Sequence, residues 1–203
     1  LSTGVASAAE GDATSGAIDV VATSGNVTLT TVTSGDATVA GNGTATSGAI
    51  TLTASGANGT LTLDDALTGV ASVGATGSAT SGAITLLADG DVTVNASLET
   101  GTADTVDGDA TSGLVSVTSS NGSVAMSAAT VMTGDATVTG NGTATSGAIT
   151  LTAERNVDSD ALSTGVASAA EGDATSGAID VVATSGNVTL TTVTSGDATV
   201  AGN

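Results

Sequence analysis

Residues Leu1–Asn42 recur at Leu162–Asn203 without a single change, an offset of 161 residues. Identical stretches require equivalent surroundings, so the chain reads as a stack of repeated units. Inside the long period lies a shorter one. "ATSGAITLTA" stands at Ala45–Ala54 and again at Ala144–Ala153, with close variants at Ala13–Ala22, Ala79–Ala88 and Ala110–Ser119. The motif glycines Gly16, Gly48, Gly82, Gly113, Gly147 and Gly177 are 32, 34, 31, 34 and 30 residues apart, together 161. Five short units thus build one long unit. The 203 residues form one continuous segment, with 1–161 as one super-repeat and 162–203 as the start of the next. This predicts a longer tandem array.

Each short unit splits into three. After Gly16 ("SGAIDV") come Gly25 ("SGNVTL") and Gly35 ("SGDATV"). The shared form is turn, glycine, then alternating polar and apolar residues. Alternation with period two marks a strand with one buried face. Thr and Val favour strands, and Gly, Asn and Asp favour turns. The prediction is an all-β, parallel, three-sided β-solenoid with about 32 residues per coil. Equivalent strands of successive coils then stack as neighbours, and their side chains form ladders.

The ladders can be read from the sequence. Face one should point Ile18, Ile50, Ile84, Val115, Ile149 and Ile179 inward, beside Val20, Leu52, Leu86, Val117, Leu151 and Val181. Face two should contribute Val27, Leu61, Val92, Val124, Val157 and Val188. Face three is small, with Ala37, Ala71, Ala103, Ala136, Ala167 and Ala198. Constant side-chain size in each column follows from dense packing, and a narrow bore explains the absence of Phe, Tyr and Trp. Acids are diluted along the outer columns, as in Asp36, Val70, Thr102, Asp135, Val166 and Asp197. The column Asp12, Thr44, Ser78, Asp109, Thr143 and Asp173 repeats the pattern, which avoids stacking like charges.

The motifs "SGAITLTA", "SGNVTLTTV" and "DGDVTV" resemble the repeats of filamentous haemagglutinin-type proteins, giant surface or secreted bacterial adhesins. The resemblance is one of pattern and covers the whole chain. It implies a right-handed parallel β-helix, an extracellular or cell-surface location and a fibre or stalk role, with no catalytic residues carried over. The coil here is longer than is usual in that family.

Charge narrows the function further. One basic residue, Arg155, faces 20 acids, for a net charge of −19. Such a surface repels nucleic acid and anionic membranes, and no apolar run is long enough for a transmembrane helix. With no His, Lys, Cys or Tyr, an enzyme would depend on acid pairs such as Asp64–Asp65, which read as solvated turn formers. No enzymatic activity and no cofactor are expected. Calcium is an alternative, because the "DGD" stretches Asp89–Asp91 and Asp107–Asp109 offer hard oxygens around a glycine turn. The competing reading is a turn in which Asp bonds its own backbone. Ice binding through Thr51/Thr53 and Thr150/Thr152 fails at the other coils, where Asp19/Val21 or Thr85/Leu87 intervene. Asn26, Asn42, Asn58, Asn95, Asn121, Asn141 and Asn187 each begin an N-x-Ser/Thr sequon and are candidate glycosylation sites.

One coil is irregular. "ERNVDSDA" stands where others carry "SGNVTLT", with Asn156 taken as the glycine replacement. Ser159 falls where the other coils place Leu29, Leu63, Val94, Met126 and Leu190. Arg155 is read in two ways. It balances Glu154, Asp158 or Asp160 locally, or it clamps a carboxylate on a neighbouring fibre. The partners expected on this reading are other copies of the chain, and a host or neighbouring cell surface for an adhesin shaft.

Overall fold

The computed structural model describes residues 1–202. Every described strand pairs in parallel, and the strands gather into three sheets. The first sheet stacks Ile18–Ala22, Ile50–Ala54, Ile84–Ala88, Val115–Ser119, Ile149–Ala153 and Ile179–Ala183. The second stacks Val27–Thr33, Leu61–Leu67, Val92–Glu99, Val124–Met132, Val157–Ser163 and Val188–Thr194. The third runs from Ala6–Ala8 through Ala37–Val39, Ala71–Thr80, Ala103–Thr111, Ala136–Thr145 and Ala167–Thr175 to Ala198–Val200. Gly11–Thr14 and Gly43–Thr46 join that third sheet as separate short strands. The protein is therefore a β-solenoid of about 32 residues per coil, as the glycine spacing predicts.

Register follows the sequence columns. Ile84 lies beside Ile50 and Val115, Val92 beside Leu61 and Val124, and Ala103 beside Ala71 and Ala136. The first sheet holds this register through all its pairings without a shift. The second and third sheets shift between Thr93 and Ser97, Met126 and Thr130, and Val138 and Asn141. Units of unequal length are absorbed by these bulges, which leave the flanking ladders aligned.

The interior departs from a single triangular bore. Buried apolar residues fall into two clusters. One joins the first and second sheets, with Ile50, Leu52, Leu61, Leu63, Ile84 and Leu86 among its members. The other contains only third-sheet residues, among them Ala37, Val39, Ala45, Ala71, Val73 and Ala79. The third-sheet segment bends on itself, and its two arms enclose an alanine lobe. Glycine marks the bend: Gly108 and Gly172 have φ of +116° and +111°, a region that L side chains rarely adopt.

The two lobes meet at a waist made of hydroxyls and glycines. Ser47 and Thr68 are buried at opposite ends of third-sheet segments. The Ser47 hydroxyl donates to Gly69 O at 2.6 Å and accepts the Gly82 N–H at 2.7 Å. The Thr68 hydroxyl donates to Gly82 O at 2.8 Å and accepts the Gly101 N–H at 2.9 Å. Thr100, Thr133 and Thr164 repeat the Thr68 arrangement, bonding Gly113, Gly147 and Gly177. Glycine is needed here for close approach, since a Cβ on Gly82 would overlap Gly48 O of the preceding coil.

The small lobe has little hydrophobic stabilisation of its own. A buried alanine methyl contributes about 0.8 kcal/mol, against about 1.5–3 for a buried Leu, Ile or Val. Backbone ladders and waist bonds must therefore hold it closed. Replacing Ser47 with Ala removes a donor and an acceptor between lobes and leaves the Gly82 N–H without its partner. The expected loss is about 1–3 kcal/mol, read as a fall in the denaturation midpoint. An unchanged midpoint would refute the role given to the waist. Ala71→Phe should cost about 1–3 kcal/mol or more by overpacking the alanine lobe. Limited proteolysis should then cut near that coil, where the parent resists.

Candidate functional site

In this solenoid the chemistry-bearing residues lie on the outside, at the corners between sheets. Many corner N–H groups bond a backbone carbonyl of a neighbouring coil, as Ser55 does to Ala22 and Arg155 to Gly122. Others take an acidic or amide side chain of the preceding coil. Asp36 Oδ1 accepts the Val70 N–H at 2.9 Å, and Asp135 Oδ1 accepts the Val166 N–H at 2.7 Å. Asn26 Oδ1 does the same for Thr60, and Glu10 Oε2 for Asn42. Asp36 and Asp135 thus bond the backbone of the next coil, in addition to being spaced from each other.

The two "DGD" stretches occupy different places. Asp89 and Asp91 sit at the corner between the first and second sheets. The Asp89 carboxylate accepts the Asn58 N–H at 2.6 Å and Asn121 Nδ2–H at 2.7 Å, so it ties three successive coils together. Asn58 takes φ of +58° at this corner. Asp91 Oδ1 accepts the Ser123 N–H at 2.8 Å. Asp107 and Asp109 lie instead in the third-sheet strand Ala103–Thr111, where Asp107 Oδ1 accepts the Asn141 N–H at 2.9 Å and Asp109 aligns with Thr143. Among the described residues no three His, Cys, Asp or Glu side chains group around a common point.

All seven sequon asparagines are exposed. Their amides are not equally free. Nδ2 of Asn95 donates to Asp64 and Nδ2 of Asn121 to Asp89, so the nitrogen that would carry a glycan is engaged at those two positions. Asn26 and Asn42 use only Oδ1, toward Thr60 and Thr76. Asn58 and Asn187 stand on the corner that carries Asn26 and Asn121, and Asn141 near the bend of the third sheet.

A shallow cavity of about 260 Å³ opens beside Asp89, lined by Thr53, Ser55, Leu87, Ala88 and Ser120. It offers one carboxylate, already bonded twice, and hydroxyls with no base beside them.

Arg155 is exposed at the corner that leads into Val157–Ser163, and it makes no ion pair among the described residues. Register corrects one sequence reading. Val157 aligns with Val124 and Val188, so Arg155 takes the place of Gly122 and Gly186, while Asn156 aligns with Ser123 and Asn187. Counting back from the aligned valine, the glycine replacement is Arg155 and not Asn156. Asn156 Oδ1 accepts the Asn187 N–H at 2.9 Å, which is the corner role that Asn26 plays.

Comparison with protein-family models, curated proteins and solved structures finds no match to this chain. The residues and their geometry carry the functional reading.

The Asp89 corner gives a direct test. Asp89→Ala removes two bonds to neighbouring coils and should cost about 1–2 kcal/mol, discounted toward the lower end by partial exposure. Thermal melting should show a drop of a few degrees. Asp109→Ala, which removes no such bond, should leave the midpoint unchanged.

Proposed function

We propose that this chain is a non-enzymatic structural segment of a long extracellular or cell-surface fibre, and that its task is to span distance. The observation that carries this reading is coil-on-coil register kept through three sheets by a sequence that restarts at residue 162. A repeat of that kind can be extended without changing any contact. At ~4.8 Å per coil, five coils advance roughly 24 Å for each 161 residues. Interlocked backbone ladders resist bending and proteolysis, and the acidic surface keeps neighbouring shafts soluble. The likeness to filamentous haemagglutinin-type repeats and the seven exposed sequons support a location outside the cell. Calcium has a place here only as a counter-ion, since Asp89, Asp91 and Asp107 already accept backbone or amide protons and no three carboxylates group around a common point among the described residues.

An antibody raised against the repeat provides the test. It should label intact cells or the medium, and negative-stain images should show rods of uniform width. Labelling that needs lysis would overturn the location, and globular particles would overturn the stalk.

A second reading is an adhesin shaft whose side binds a ligand or another copy. The exposed Arg155 favours it, because a lone guanidinium can hold a carboxylate of a neighbouring acidic shaft in two parallel bonds. On this reading Arg155→Gln should abolish side-by-side bundling in electron micrographs across a salt series. Bundling equal to the parent at every salt concentration would remove Arg155 from the contact.

A further inference from the structure

Three polar residues interrupt the apolar columns of the interior, and two of them find partners. Thr105 replaces the valine of Val73 and Val138, and its hydroxyl donates to Asp107 O at 3.2 Å, with Gly77 O at 3.3 Å. Ser119 replaces the alanine of Ala88 and Ala153, donates to Gly90 O at 2.7 Å and accepts the Gly122 N–H at 3.1 Å. Ser159 finds none. It is 1% exposed, stands between Met126 and Leu190, and its Oγ has no hydrogen-bond partner. An apolar column therefore carries a buried donor that water solvates in the unfolded chain and nothing satisfies in the folded one. Serine is also smaller than the Met126 and Leu190 on either side of it, so the column buries less apolar side chain at this level.

The corner of the same coil departs from the pattern at one bond, although the Arg155 N–H still donates to Gly122 O at 2.9 Å. Arg155 stands at the glycine position, and the Asn156 N–H reaches Ser123 Oγ only at 3.4 Å, near the limit of a hydrogen bond. Two independent departures, one in the core and one at the corner, thus fall within five residues.

We infer that the coil containing Val157–Ser163 is the yield point of the solenoid, where the stack opens first under heat, denaturant or pull. In a linear stack each coil is held by its two neighbours, so one weak level divides the array into blocks that open separately. The inference concerns stability alone and holds whatever the fibre does. Where the 161-residue repeat continues, the yield point recurs with it.

Native-state hydrogen exchange on the full chain tests this. Amides of Val157–Ser163 should exchange faster than those of Leu61–Leu67, which lie equally far from the other end of the stack. Ser159→Val introduces the residue already present at Val94 in the same column. It should slow exchange at 157–163 by about ten- to a hundredfold and leave 61–67 unchanged. Ser159→Ala removes the orphaned hydroxyl without adding apolar bulk, and should slow exchange by a smaller factor. Equal exchange of the two strands in the parent would overturn the inference. So would variants that leave 157–163 unaltered, or that slow every coil alike.

Discussion

A buried hydroxyl shared between two backbones is the interaction on which this cross-section depends. At each waist a Ser or Thr takes an N–H from the next coil and gives its own proton across the interior, as Ser47 does between Gly82 and Gly69. Without that bridge the small lobe would be an open flap held only by alanine methyls and a few valines. With it, a coil of about 32 residues closes twice, and a second apolar compartment forms where a single bore would be too wide to fill without aromatic rings. The glycines follow from the same bridge, because only a residue without Cβ lets the two corners approach to hydroxyl distance.

The outer surface solves a different problem. A chain with 20 acids and one cation must stack strands about 4.8 Å apart without stacking carboxylates. Spacing the acids two or three coils apart removes the worst repulsions, and aiming them at corner N–H groups turns several into coil-to-coil bonds. Asp36, Asp89, Asp91, Asp107 and Asp135 all act in this way. Of the groups that look like candidate cation ligands in a linear reading, Asp91 and Asp107 are engaged by the backbone of the following coil and Asp89 by that of the preceding one, while Asp109 accepts no such bond.

Regularity and its interruption have separate consequences. The first sheet, unbroken in register, is a rigid spine, while the second and third absorb differences in unit length through bulges. The coil of Arg155 and Ser159 stands apart from both. It breaks the glycine rule outside and the apolar rule inside, and it does so once in the 161-residue period.

The sequence by itself determined the strand ladders, their register and the size of each core column. Those depend on local alternation and on identical neighbours, and both are written in the period. It also located the defect at Ser159, because a polar residue in an apolar column is visible without coordinates. The waist was equally present as Ser or Thr before each glycine, yet it read as turn chemistry, since nothing local says that two corners at opposite ends of a segment will meet. The replacement of glycine by Arg155 emerged only when the valines were aligned strand against strand. Tertiary structure alone decided the split into two lobes and the engagement of the corner carboxylates, because both rest on bonds between residues about 13 to 35 positions apart, a separation at which only the closed coil brings donor and acceptor together.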